Sequence, residues 1–243
     1  MFVTGGATGI GAAFVGAFAE QGARIAFIDI DDDAGAELAR RVAGAWFRRC
    51  DVRDPLALET AIQDAAEALG PITVLVNNVA NDSRHVAVDT TIQGWREGLA
   101  VNLDPVFIAA CAVQPMMALA GGGSIINHAS VDASLGNPTI AAYSAAKGGL
   151  LPLTHVMAHD LAKYGIRVNA MSTGNITTAL SGPGQGGAIS ARTAVTPLAR
   201  TGRPEEAAHV ALFFASDWSS FVNGANLVVD GGRTGITQGC FDR

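Results

Sequence analysis

Apolar and polar positions along this 243-residue chain alternate between two periods. Short apolar runs bounded by turn residues recur at Arg24–Ile30, Ala45–Cys50, Ile72–Asn77, Ser124–His128, Arg167–Met171 and Asn226–Val229. Between them lie longer stretches with helical periodicity: Ile10–Gln21, Asp33–Ala43, Pro55–Leu69, Ile92–Leu119, Ala142–Tyr164 and Pro204–Ala215. Length and period together predict strands for the first set and helices for the second. Asp54 before Pro55 reads as a helix start, because the carboxylate can cap and proline loses no needed N–H at the first helical position. Only Met1, Phe2 and Val3 precede a glycine turn, so the first strand is expected to be short. Strand–helix alternation predicts an α/β fold with a parallel sheet covered on both faces. Right-handed crossovers make it a Rossmann-like, doubly wound sheet in a single domain. Ligands in such sheets collect beyond the carboxyl ends of the strands. One segment, 172–203, loses the period and is rich in glycine and proline. Long irregular segments beside a ligand crevice are usually functional, so a lid over the substrate is expected there.

Candidate chemistry sharpens this picture. Thr4-Gly5-Gly6-Ala7-Thr8-Gly9-Ile10-Gly11 joins the first strand to the first helix. In that context the glycines let backbone approach a pyrophosphate, and the helix N-terminus receives its charge. The next strand ends at Asp29, about 20 positions past the glycines, where an acid fits a ribose 2′-hydroxyl and repels a 2′-phosphate. NAD is therefore expected rather than NADP. Tyr143 and Lys147 are four apart in a stretch of helix formers, which stacks them on one face. A free tyrosine titrates at ~10, and an adjacent ammonium is expected to lower that value toward working pH. Ser130, at the end of a predicted strand, could orient the oxygen that exchanges the proton.

These pieces, in order, resemble the classical short-chain dehydrogenase/reductase family. The resemblance rests on Thr4-Gly5-x-x-x-Gly9-x-Gly11, Asp51-Val52, Asn77-Asn78-Val79-Ala80, Asn102, Ser130, Tyr143-x-x-x-Lys147 and the segment Arg167–Thr178. It implies hydride transfer between a nicotinamide cofactor and an alcohol or ketone, with a catalytic set of Asn102, Ser130, Tyr143 and Lys147. Asn102 would anchor a water linking Lys147 to solvent, and Lys147 would also hold the nicotinamide ribose. Implied cofactor contacts run through Gly5, Thr8, Gly9, Ile10, Gly11, Asp29, Ile30, Asp51, Val52, Asn78, Val79, Ala80, Tyr143, Lys147, Gly174, Ile176 and Thr178. Asp51 and Val52 would meet the adenine, and Ile176 and Thr178 the carboxamide. Two departures stand out: Val79-Ala80 replaces the family's usual Ala-Gly, and Thr173 replaces a proline. The family is commonly tetrameric, which implies a homotetramer built through the two long helices.

Composition narrows the partners. Formal charge is -6 with no Lys or Arg cluster, which argues against nucleic acid and anionic membrane. The apolar stretch Val106–Ala120 is too short to span a bilayer. Three scattered cysteines, Cys50, Cys111 and Cys240, give neither a disulfide framework nor metal spacing and fit a reducing, cytoplasmic setting. No charged-then-apolar leader precedes the glycine turn. His155 and His159 are four apart but have no third ligand in view, so no metal is expected. No Gly-x-Ser-x-Gly elbow surrounds Ser130, and His128 is expected on the opposite strand face, against a hydrolase reading. His85, in the polar run after Ala80, and Asp132, two past Ser130, are candidate substrate contacts. They suit a hydroxylated substrate, since each unmatched hydroxyl costs binding. A sugar or polyol is thus the first expectation. A less polar cyclic or aryl ketone, or a non-catalytic dinucleotide-binding protein, remains open.

Overall fold

The structure, a computed structural model, describes residues 1–82, 85, 87–178 and 193–235. Its strands are β1 (Phe2–Thr4), β2 (Ala26–Asp29), β3 (Trp46–Arg49), β4 (Val74–Asn77), β5 (Gly123–Ser130), β6 (Ile166–Thr173) and β7 (Asn226–Val229). They form one parallel sheet in the order β3-β2-β1-β4-β5-β6-β7. The order reverses between β1 and β4, where a crevice must open because the crossovers leave in opposite directions.

Side-chain alternation sorts each strand onto two helical layers. Phe2, Ala26, Ile28, Leu75, Ile125 and Val168 pack on one face against α3 (Pro55–Leu69), α5 (Asp104–Leu119) and α6 (Ala141–Leu161). Val3, Ile25, Phe27, Val76, Ile126 and Met171 pack on the other face against α1 (Gly9–Glu20), α2 (Asp32–Arg41) and α7 (Pro204–Ala215). Neighbouring residues on a strand thus serve opposite cores. That explains why the strands read as continuous apolar runs rather than as alternation.

The expected elements appear with three adjustments. The stretch Ile92–Leu119 is two helices, α4 (Ile92–Asn102) and α5, broken at Leu103 with φ -128° and ψ -56°. Pro105 sits in the first turn of α5, where it starts a helix as Pro55 does in α3. Ala109, Ala110, Val113 and Met117 of α5 are buried against the sheet. Strands β5 and β6 run on to Ser130 and Thr173, past the expected ends, and pair with each other at those two residues. The third change is at the end of α6, which tightens into a 3₁₀ turn over Ala162–Tyr164 and stops at Gly165 in the left-handed conformation. Of the expected lid, residues 179–192 lie outside the described residues.

Candidate active site

The glycine turn closes on itself at the end of β1. Gly5 and Gly9 have φ of 66° and 55°, and a Cβ on Gly11 would lie 1.9 Å from the Gly5 carbonyl oxygen. Only glycine fits there. Thr8 caps α1 with no side-chain hydrogen bond, and the first turn of α1 holds no acidic residue. Among the described residues no side chain caps it, so its leading N–H groups and positive dipole end can receive an anion. Asp29 fixes the rim: one carboxylate oxygen accepts from the Ala7 N–H (3.0 Å), the other from the Asp31 N–H (3.1 Å). A carboxylate has further lone pairs to accept two hydroxyls. The glycine cradle, the uncapped helix end and the acidic rim fit a dinucleotide.

Across the switch point, Thr4 Oγ1 accepts from the backbone N–H groups of Asn78 (3.0 Å) and Val79 (3.2 Å). The Asn78 amide nitrogen in turn donates to the carbonyl oxygens of Gly5 (2.8 Å) and Thr4 (3.2 Å). These bonds stitch the end of β4 to the glycine turn. Further along, Gly174 N–H donates to the Val229 carbonyl (3.0 Å). Thr177 N–H donates to Gly202 and Gly202 N–H to Asn175, each at 2.9 Å. Thr178 lies over Gly9, its methyl group 3.3 Å from where a Cβ would stand.

Ser130, Tyr143 and Lys147 meet at one end of this crevice. Lys147 is buried, 2% exposed, and its Nζ donates to the His128 carbonyl at 2.7 Å. Burial pulls its pKa down to about 8. Its Nζ is 5.8 Å from the centre of the Tyr143 ring. Ser130 Oγ accepts from the Asp132 N–H (3.1 Å) and donates to the Asp132 carboxylate (3.3 Å). Asn137 donates to the other Asp132 oxygen (3.2 Å). For Tyr143, the expected lowering by Lys147 does not win. Burial pushes the phenol up to about 12, a hydrogen bond with Ser130 pulls it back, and the charges of Asp132 and Asp82 raise it further. The phenol thus stands in its protonated form at neutral pH.

One crevice is walled by these groups and by Gly5, Thr8, Gly9, Ile10, Gly11, Asp29, Ile30, Asn78, Val79, Ala80, Asp132, Gly174, Ile176 and Thr178. Four expected residues are elsewhere. Asp51 is turned to Arg53, whose Nε donates to both its oxygens at 3.0 Å, and Val52 is buried in the core. Asn102 is buried one layer back. It accepts from Asn81 N–H (3.0 Å) and donates to the carbonyls of Asn81 and Gly98, both at 2.9 Å. His85 lines a separate cavity with Asn81, Asp89 and Glu97 that reaches Tyr143 from the α4 side. Its N–H donates to the Thr139 carbonyl at 2.7 Å.

His128 and Thr173 join the crevice wall without having been assigned to the cofactor. A spacing of two keeps side chains on one face of a strand, so the opposite-face expectation for His128 fails. What separates His128 from Ser130 is its partners. Its Nδ1 lies 2.8 Å from Asn78 Oδ1, and its Nε2 lies 2.8 Å from Thr173 Oγ1. The replacement of proline by Thr173 was the visible signal. Its partner, 45 positions away in sequence, was not visible.

Fold and crevice define a dinucleotide-binding oxidoreductase, and the comparisons agree. Residues 5–234 match the family model described as enoyl-(acyl carrier protein) reductase. The chain is similar to a probable galactose dehydrogenase of Rhizobium meliloti, 44% identical over 73% of this chain and 72% of the relative. It is 37% identical to an NADP-dependent (R)-specific alcohol dehydrogenase of Lentilactobacillus kefiri, over 96% of this chain and 95% of the relative. A gluconate 5-dehydrogenase from Burkholderia cenocepacia J2315, solved in complex with NADP and tartrate, superposes with a TM-score of 0.90 at 36% identity. That match covers 97% of this chain and 95% of the other. The chain belongs to the short-chain dehydrogenase/reductase family, as an alcohol/carbonyl oxidoreductase.

Proposed function

We propose that this protein is an NAD-dependent dehydrogenase of a polyhydroxylated secondary alcohol, a sugar or polyol, with Tyr143 as its proton-transfer group. The observation that carries the reading is the meeting of Ser130, Tyr143 and buried Lys147 at one end of the glycine-turn crevice. A bound dinucleotide supplies the hydride acceptor or donor. The chain's own residues do the rest. Gly5 to Gly11 and the end of α1 receive the pyrophosphate, and Asp29 takes the adenosine ribose. Ile176 and Thr178 hold the carboxamide end. Ser130 holds the substrate oxygen against Tyr143, which lends its proton in reduction and takes one in oxidation. Asn102 fixes the backbone at Asn81 and anchors a water behind Lys147.

Asp132, braced by Asn137, offers acceptors beside the reacting oxygen, and His85 stands on the α4 side of Tyr143. Such a flank favours a hydroxylated substrate over a cyclic or aryl ketone, because burying unpaired polar groups costs binding. Two of the three relatives named above act on polyhydroxylated compounds by name. NAD follows from Asp29, whose charge would repel a 2′-phosphate. Phe107 on α5 and Val156 on α6, 55% and 57% exposed, are the faces through which the chain would assemble as a homotetramer. A cytoplasmic setting completes the reading.

The test is a panel of sugars, polyols and cyclic ketones with both cofactors, followed at the nicotinamide absorbance. Wild type should oxidise a polyol with NAD. Tyr143→Phe should lose roughly a thousandfold in kcat with cofactor affinity kept, the scale of general acid–base catalysis. Retained turnover in that variant would remove Tyr143 from its role.

A further inference from the structure

His128 is buried between the ends of β4 and β6, and its partners dictate its proton. The Asn78 amide nitrogen faces two carbonyl oxygens, those of Gly5 at 2.8 Å and Thr4 at 3.2 Å, which can only accept. Its Oδ1 therefore faces His128, so Nδ1 must be the protonated nitrogen. Burial first, and then the Lys147 charge, hold the ring neutral, with a pKa near 3. A neutral ring with its proton on Nδ1 has only an acceptor at Nε2, so the Thr173 hydroxyl donates to it. Hydrogen bonds now run one way, from Thr173 through His128 and Asn78 to Gly5. They cross β6, β5, β4 and β1, four adjacent strands of the sheet. A proline at 173 could not start this chain, having no hydroxyl.

We propose that His128 is a positioning residue that ties the pyrophosphate turn at Gly5 to the nicotinamide end of the crevice at Thr173, with Thr173 present because His128 requires its donor. Its two ring nitrogens divide the work. The Nδ1 arm fixes Asn78, and through it the turn that receives the pyrophosphate. The Nε2 arm fixes Thr173 next to Gly174, where the β6 end borders the far half of the dinucleotide. This rests on the crevice being a dinucleotide site and not on the substrate.

Two substitutions separate the arms. His128→Asn keeps a polar group where Nδ1 stands and abandons Thr173, whereas His128→Gln reaches Thr173 and abandons Asn78. The probes are NADH and ADP-ribose, which carries the pyrophosphate but no nicotinamide, with Kd read by calorimetry. His128→Gln should weaken both ligands by roughly tenfold, the cost of one buried polar group left unpaired. His128→Asn should weaken NADH by roughly tenfold and move ADP-ribose by less than about twofold. Thr173→Val, which leaves the ring in place, should repeat the His128→Asn pattern. Asn78→Ala should repeat that of His128→Gln. These two decide the matter if either histidine variant fails to fold. The same loss for both ligands in every variant, or melting temperatures that fall with both affinities unchanged, would leave His128 a structural residue only and overturn the proposal. Wild type that binds NADH and ADP-ribose but turns over no alcohol would sink the proposed activity and leave this test intact. Wild type that binds neither overturns both.

Discussion

Replacing Lys147 with methionine should stabilise this protein while abolishing its activity. Lys147 is buried, and burial lowers its pKa from 10.5 to about 8. Below pH 8 both the folded and the unfolded chain carry the charge, and the folded chain bears the full cost of burying it. Between pH 8 and 10.5 the unfolded chain still binds the proton and the folded chain does not, so stability rises with pH across that window. The displacement corresponds to ~3 kcal/mol at neutral pH, at 1.36 kcal/mol per unit. Methionine has a similar unbranched stem and removes that cost. It leaves the His128 carbonyl without its 2.7 Å donor, which costs back ~1 kcal/mol. The net gain near pH 7 is ~2 kcal/mol, or a melting temperature higher by roughly 4–8 °C for a chain of this size. Thermal and urea unfolding of both proteins at pH 6.5, 8, 9.5 and 10.5 checks it. The advantage of Lys147→Met should be largest at or below pH 8 and fade as pH nears 10.5. A variant less stable than wild type at pH 6.5, or a difference that ignores pH, would refute the reasoning.

Asp132 raises the Tyr143 pKa, so Asp132→Asn should bring it down. Alcohol oxidation needs the phenol deprotonated, so its rising pH limb should move to lower pH, with roughly two- to tenfold faster oxidation at pH 8. An unmoved profile of kcat/KM would show that the two groups are uncoupled in the working enzyme. Asp29→Ala should cut NAD affinity by roughly tenfold and admit NADP, because a charge-assisted acceptor is lost and repulsion ends. Arg49, which pairs with Asp29 in register, is already a cation at that rim; NADP affinity that does not rise would count against the assignment. Gly11→Ala should abolish dinucleotide binding and cost ~2 kcal/mol or more in a denaturant titration, since its Cβ would collide with the Gly5 carbonyl at 1.9 Å. Unchanged affinity in that variant would mean that the turn is not the pyrophosphate cradle.

Much of the fold was legible in the chain. Parallel strands buried on both faces read as short apolar runs, and each predicted run holds a strand of the sheet. The break at Leu103 had a local signal in Pro105, a first-turn proline like Pro55, but the apolar content of the stretch masked it. Asp51 could not be separated from an ordinary surface acid by sequence, since its bonding to Arg53 depends on how a loop turns. His85 illustrates a different limit. Its place in a polar run said what it could bind, but its position on the α4 side of Tyr143 depends on a backbone bond to Thr139, 54 positions away in sequence.

By itself the order of residues determined the glycine turn, the acid at the second strand and the Tyr143–Lys147 spacing. Those features depend on local geometry: φ angles that only glycine tolerates, and a helical repeat that stacks residues four apart. Only the tertiary structure decided the protonation of the site. Whether a phenol is raised by burial or lowered by a neighbouring cation, and whether a histidine is charged, depends on how much water packing removes and which charges it brings close. Those neighbours come from different strands, and distance along the chain does not measure distance in space.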